Sequence, residues 1–370
     1  MTPSHFRYAA LPMRVRFGRG TVTQLADELR ELGLRRAAIL CTASEEELAR
    51  SIANDLGDGV AAVLAGAVMH VPDAAVEATL DAVNRCGADA LVPVGGGSAV
   101  GLAKAVALQT DLPIVAVPTT YAGSEMTPIW GRTSAGLKQT GRDLRVLPRS
   151  VIYDPDLTVT LPARVSGVSG MNAIAHAVEA LYAPDATPIV TLMAIEGTSA
   201  LATALPEVVA RPSDRDARTR ALYGAWLCGA CLGNVTMSLH HKLCHALGGA
   251  FDLPHAETHA VVLPYVVAYN APGAAAAMSQ LAATLEADDL ASTLWRLGQA
   301  LGAPPSLAAL GVAEPDVDLV ASLAVANPYA NPVPVTVEGV REILLAALAG
   351  AEPNCVGSTG RELRRAGTSA

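Results

Sequence analysis

The sequence predicts an α/β plus all-α protein: a doubly wound parallel sheet over residues 1–155, then a helical domain over 156–370. Short apolar runs alternate with helix-length segments up to about residue 120, and strand signals stop near residue 160. Long Ala- and Leu-rich stretches fill the rest. Strands separated by helices pair in parallel, because antiparallel neighbours need only a tight turn between them. A length of 370 residues calls for more than one core. A chain that is 51% hydrophobic but only 4% aromatic suits helices packed on such a sheet.

Each element has its own signal. Arg36–Thr42 is an apolar run ending in polar turn residues, and Ser44 with the three glutamates after it can cap and charge a helix start. Residues 59–64 form a second strand. Asp73 opens a helix with Val76, Leu80 and Val83 on one face, stopped by Gly87. Ala90–Val94 and Leu112–Val117 are the third and fourth strands. The turn residues Asp154-Pro155-Asp156 mark the boundary between the two textures. Beyond it, Pro and Gly near 183–188, 205–213, 271–273 and 303–305 divide the helices.

A formal charge of −9 with no basic block argues against nucleic acid or an anionic membrane as partner. The chain has no uncharged run of eighteen apolar residues, and its first residues lack the apolar core of a signal peptide. A cytoplasmic protein is expected. Six cysteines in this length are no disulfide framework. Cys228 and Cys231 lie in an apolar helical stretch and read as small buried side chains.

Two loops suit a dinucleotide. Gly95-Gly96-Gly97-Ser98 follows a strand and opens a helix, so its backbone can approach a pyrophosphate and its amides can bind the charge. Thr119 and Thr120 follow the next strand at the same sheet edge, where such ligands bind. The chemistry lies further along. Asn172 and His176, then His241 and His245, stand at i, i+4 spacing and share helix faces, with His255 ten residues on. Such faces would build a divalent-metal site if residue 172 were a carboxylate, but it is an amide. His259 reads as a supporting or a solvated residue.

These segments resemble the iron-containing, or group III, alcohol dehydrogenase superfamily. The strongest pieces are Gly-Gly-Gly-Ser at 95–98, Pro-Thr-Thr at 118–120, Gly-Met-Asn-Ala-Ile-Ala-His-Ala at 170–177 and His241–Pro264. The resemblance implies a Rossmann-like domain followed by a helical one. Metal-dependent members carry Asp in place of Asn172 and of Gly101. With its short loop at Tyr121, the chain is similar to the branch whose members reduce the carbon–carbon double bond of maleylacetate.

That resemblance implies NADH as cofactor with NADPH tolerated, because Thr42 stands where members selective for NAD carry Asp. It implies no metal. Lys138 matches a lysine near the nicotinamide ribose. His245 is expected as proton donor, with His241 and His255 stabilising an oxyanion and Asn172 orienting the substrate or His176. Lys242, Arg142 and Tyr121 are expected to bind the small dicarboxylate substrate. A homodimer is implied, with residues 14–18 pairing across it. The alternative is a metal-dependent alcohol or aldehyde dehydrogenase of the same superfamily.

Overall fold

The computed structural model describes residues 6–134 and 137–353. Six strands form one parallel sheet: β1 (Arg14–Phe17), β2 (Ala37–Leu40), β3 (Val60–Leu64), β4 (Ala90–Gly95), β5 (Val115–Pro118) and β8 (Ser150–Tyr153). A hairpin of β6 (Ile129–Ser134) and β7 (Leu137–Arg142) stands apart from it. The helices of this part are α1 (Leu25–Glu31), α2 (Glu46–Leu56), α3 (Asp73–Cys86) and α4 (Gly97–Thr110).

The sheet order is β1-β8-β5-β4-β2-β3. The chain therefore builds outward in one direction from β2 to β3, then returns past β2 and builds the other way from β4. The crevice between β2 and β4 is the reversal point, and ligands of doubly wound sheets bind there, beyond the carboxyl ends of the strands. Every residue of β2, β4, β5 and β8 is buried. They read as continuous apolar runs because both faces of a parallel sheet are covered. Ile39, Val92, Val94, Val115, Val117 and Ile152 form the core on one face with Leu25, Leu29 and Ile52. The expected strands all form, and α3 opens at Asp73 and ends on Gly87 at φ +63°.

The helical part contains α5 (Ala163–Leu181), α6 (Pro188–Ala210), α8 (Leu239–Phe251), α9 (His255–Asn270), α10 (Ala275–Thr284), α11 (Leu290–Ala300), α12 (Val317–Val325) and α13 (Val337–Ala349). Its core gathers Leu243, Leu247, Val262, Val266, Val320 and Ile343 from α8, α9, α12 and α13. Helix α6 is long and apolar enough to cross a membrane. It packs along α5, carries the exposed Glu196, and runs through Pro206, where the sequence suggested a break.

Two compact units result. One holds Ala9–Leu161 and Arg211–Asn234, and the other holds Pro162–Ala210, the chain from Val235 on and the short stretch up to Tyr8. This differs from a single cut near residue 155, because α7 (Arg215–Asn234) belongs to the α/β unit. Its small residues explain why: a Cβ on Gly229 would lie 2.9 Å from the Gly123 Cα, and one on Gly233 only 2.3 Å from the Met126 carbonyl oxygen. The segment 14–18, expected at a dimer interface, is the edge strand β1, paired on its inner side with β8 of its own chain.

Candidate active site

The α/β unit brings the two expected loops together at the reversal point of the sheet. Gly95 has φ +145°, a conformation that favours glycine, and a Cβ there would lie 2.4 Å from Glu45 Oε2. A Cβ on Gly96 would meet the Thr120 side chain at 2.8 Å. These glycines therefore admit neighbouring side chains as well as leaving the loop open. Gly97 starts α4, Ser98 lies in its first turn, and no side chain caps the helix start at Gly96. Beside it, the buried Thr120 hydroxyl has no hydrogen-bond partner. An uncapped helix start and an unpartnered hydroxyl fit the phosphates of a dinucleotide.

Glu45 was not read from the sequence as a site residue. Its Oε1 accepts from the Thr119 hydroxyl at 2.6 Å, and its Oε2 accepts from the Thr42 hydroxyl at 2.8 Å. The loop after β5 is anchored from beneath. Lys104, wholly buried on α4, donates to the carbonyls of Ser124 and Ile129 and to the Thr127 hydroxyl. Burial pulls its pKa down to about 7, against the upward influence of the Glu125 carboxylate.

The helical unit assembles the imidazoles. Helix α5 presents Asn172, His176 and Glu179, α8 presents His240, His241 and His245, and α9 presents His255 and His259. The side chains form a directed string. Asn172 Nδ2 lies 3.3 Å from His176 Nε2, His176 Nδ1 lies 2.9 Å from His241 Nε2, and His241 Nδ1 lies 2.5 Å from Glu179 Oε2. An amide nitrogen can only donate and a carboxylate only accept, so neutral imidazoles satisfy every link when each donates toward Glu179. Glu179 Oε1 also accepts from the backbone N–H of His240 at 2.7 Å, which fixes the start of α8 against α5.

His245 and His255 stand at the exposed end, with ring centroids 6.3 Å apart. His245 lies 6.2 Å from His241. His259 is fully buried rather than solvated, and its Nδ1 lies 2.9 Å from His240 Nε2. Burial, reinforced by the neighbouring imidazoles, lowers the pKa of His240 and His259 well below the usual histidine value.

The remaining expected residues are spread over both units. Tyr121 is fully buried and its hydroxyl accepts from Arg218, so it anchors its loop rather than facing a substrate. Arg142 ends β7 in the α/β unit, where it donates to the Gly233 carbonyl at 2.5 Å. Lys242 lies on α8 with its ammonium 5.5 Å from the Tyr329 ring centroid. Lys138 pairs with Thr133 in the hairpin, and its side chain lies outside the described residues. Cys228 and Cys231 are fully buried, as expected, and burial pushes both thiol pKa values up.

A doubly wound sheet with a glycine loop at its reversal point, followed by a helical unit carrying clustered histidines, is the arrangement to set against known families. Residues 12–155 match the family described as iron-containing alcohol dehydrogenase, and residues 167–348 match its C-terminal part. The chain belongs to this family. It is 52% identical to the maleylacetate reductase of Sphingobium indicum over 94% of this chain and 99% of that protein. It is 51% identical to the maleylacetate reductase of Burkholderia cepacia over the same shares. The crystal structure of maleylacetate reductase from Agrobacterium tumefaciens superposes with a TM-score of 0.91 at 49% identity, covering 95% of this chain and all of that one.

These matches correct the expectation of a site without metal. Both family descriptions name iron, and they point to an iron-type metal cofactor. His176 and His241 offer imidazole nitrogens, which suit iron and zinc, and Asn172 beside them adds a neutral amide. Two nitrogens 2.9 Å apart can both ligate one cation, subtending about 90° at the usual metal–nitrogen length of ~2.05 Å. Among the described residues, His240, Cys244 and His259 are the group whose donor atoms all lie within 4.8 Å of one another. The amide at residue 172 suggested a site without negative charge. Glu179 supplies that charge one step behind, through His241.

Proposed function

We propose that the chain reduces the carbon–carbon double bond of maleylacetate to give 3-oxoadipate, using NAD(P)H, in the degradation of aromatic compounds. The observation that carries this reading is the string of imidazoles ending on Glu179, which orients each ring nitrogen by a hydrogen bond. Identity near 50% over almost the whole chain with relatives named for that reaction supports it. The chain works in the cytoplasm as a homodimer on this reading. Among the described residues all cysteines are free thiols, as a reducing compartment favours.

A bound nicotinamide would supply hydride chemistry, directed at the alkene carbon beta to the ketone. Charge then builds on the ketone oxygen, and the alpha carbon takes a proton. His245, exposed on α8, donates that proton. His255 steadies the oxyanion from the start of α9, and Lys242 draws in a carboxylate. Glu179 keeps the proton of His241 on Nδ1, so that Nε2 presents its lone pair. A cation held by His176, His241 and Asn172 would supply Lewis-acid polarisation of a carbonyl oxygen. In the other unit, the glycine loop, Thr119 and Thr120 hold the dinucleotide. The test is NADH consumption by the purified protein with maleylacetate, with the product identified by mass spectrometry. Stoichiometric 3-oxoadipate is expected, and no consumption overturns the reading.

A further inference from the structure

Residue 42, at the end of β2, is a threonine, and the missing carboxylate there suggested NADH use with NADPH tolerated. The structure places a carboxylate at that point by another route. The chain turns once through Ala43–Glu45 before α2 begins, and the turn brings Glu45 back over the strand ends. Thr42 after β2 and Thr119 after β5 each donate a hydroxyl hydrogen to it, at 2.8 Å and 2.6 Å. Its Oε2 occupies the space that a side chain on Gly95, at the end of β4, would fill. One carboxylate thus spans the ends of three neighbouring strands, at the point where the sheet order reverses.

We propose that Glu45 selects the cofactor: its carboxylate accepts hydrogen bonds from the adenosine ribose of NADH and repels the 2′-phosphate of NADPH. The inference rests on the nicotinamide reading above. The phosphate loop after β4 fixes the diphosphate, and the adenosine half of a dinucleotide extends toward the strand across the crevice, which here is β2. Two donors already orient the carboxylate, and its remaining lone pairs can take ribose hydroxyls. A 2′-phosphate at the same place would set two negative charges against each other. The nearest basic residue in the following helix, Arg50, is paired with Glu46.

Binding of NADH and NADPH, followed by nucleotide fluorescence without substrate, tests this in the wild type, Glu45→Gln and Glu45→Ala. The wild type should bind NADH tighter by on the order of tenfold or more, and both variants should shrink that ratio by about tenfold. The ratio compares two ligands on one preparation, so a smaller folded fraction cancels. A wild type without preference for NADH, or variants that keep the ratio, would overturn the assignment. Failure of the reductase reading looks different. A protein that prefers NADH through Glu45 yet leaves maleylacetate untouched loses its substrate, whereas one that reduces maleylacetate with both cofactors alike loses only Glu45.

Discussion

Glu179 holds His241 through one carboxylate oxygen and the backbone of His240 through the other. Replacing it with glutamine keeps the shape but removes the charge and allows the amide to donate, so His241 loses its fixed tautomer. The affinity for ferrous ion or zinc should fall by about 10–100-fold. Competition against a chromogenic chelator measures it, and an unchanged affinity would show that His241 needs no such support. The sequence displays this site unevenly. His176, His241 and their partners are legible because i, i+4 spacing survives in any helix. Glu179 stands three residues after His176 and looks like ordinary surface charge, since only its 1% exposure reveals its place. Tyr121 misleads in the opposite sense: an aromatic beside a binding loop suggests contact, but Arg218 draws it inward.

At the level of elements, the loop from Thr119 to Ile129 depends on Lys104 of α4. Methionine at that position would leave the Ser124 and Ile129 carbonyls without their donor and Glu125 without its neighbouring charge. A loss of about 3–5 kcal/mol in urea unfolding near neutral pH is expected. The pH dependence separates this from a simple packing loss. The ordinary lysine value of 10.5 applies to the unfolded chain, and burial lowers it to about 7 in the folded one. Between these values the unfolded state binds more protons, so the lysine makes stability rise with pH, and Lys104→Met should flatten that slope. Strands β2, β4 and β5 are legible as apolar runs because they are buried on both faces. The hairpin Ile129–Arg142 is not, since its sequence is rich in Arg, Thr, Lys and Gln and its first strand is only half-buried. The four residues of β1, two of them arginines tied to Glu28 and Glu31, carry too little apolar pattern to be read.

For the whole molecule, a bound metal should stabilise the fold by mass action, by about 2.7 kcal/mol at a hundredfold excess over its Kd. Treatment with a strong chelator should therefore lower Tm, and ferrous ion should restore it. A Tm indifferent to both would mean that no metal is held. The two textures of the chain, strand–helix alternation and then continuous helix, were legible because each sets its own hydrophobic period. The assignment of α7 was not, because an apolar helix carries no mark of which core it fills.

That helix bears on how far this protein can be taken apart. The chain passes between its units at Leu161–Pro162, returns at Ala210–Arg211 and leaves again after Asn234. Neither unit is a continuous stretch of gene. A fragment stopping at residue 161 would lack the side chain that holds Tyr121 and the helix that covers Gly123 and Met126. A fragment starting at residue 162 would carry α7 with nothing to cover it. The α/β half is thus no module to be lifted out and grafted: it becomes complete only after α5 and α6 of the helical half have been synthesised.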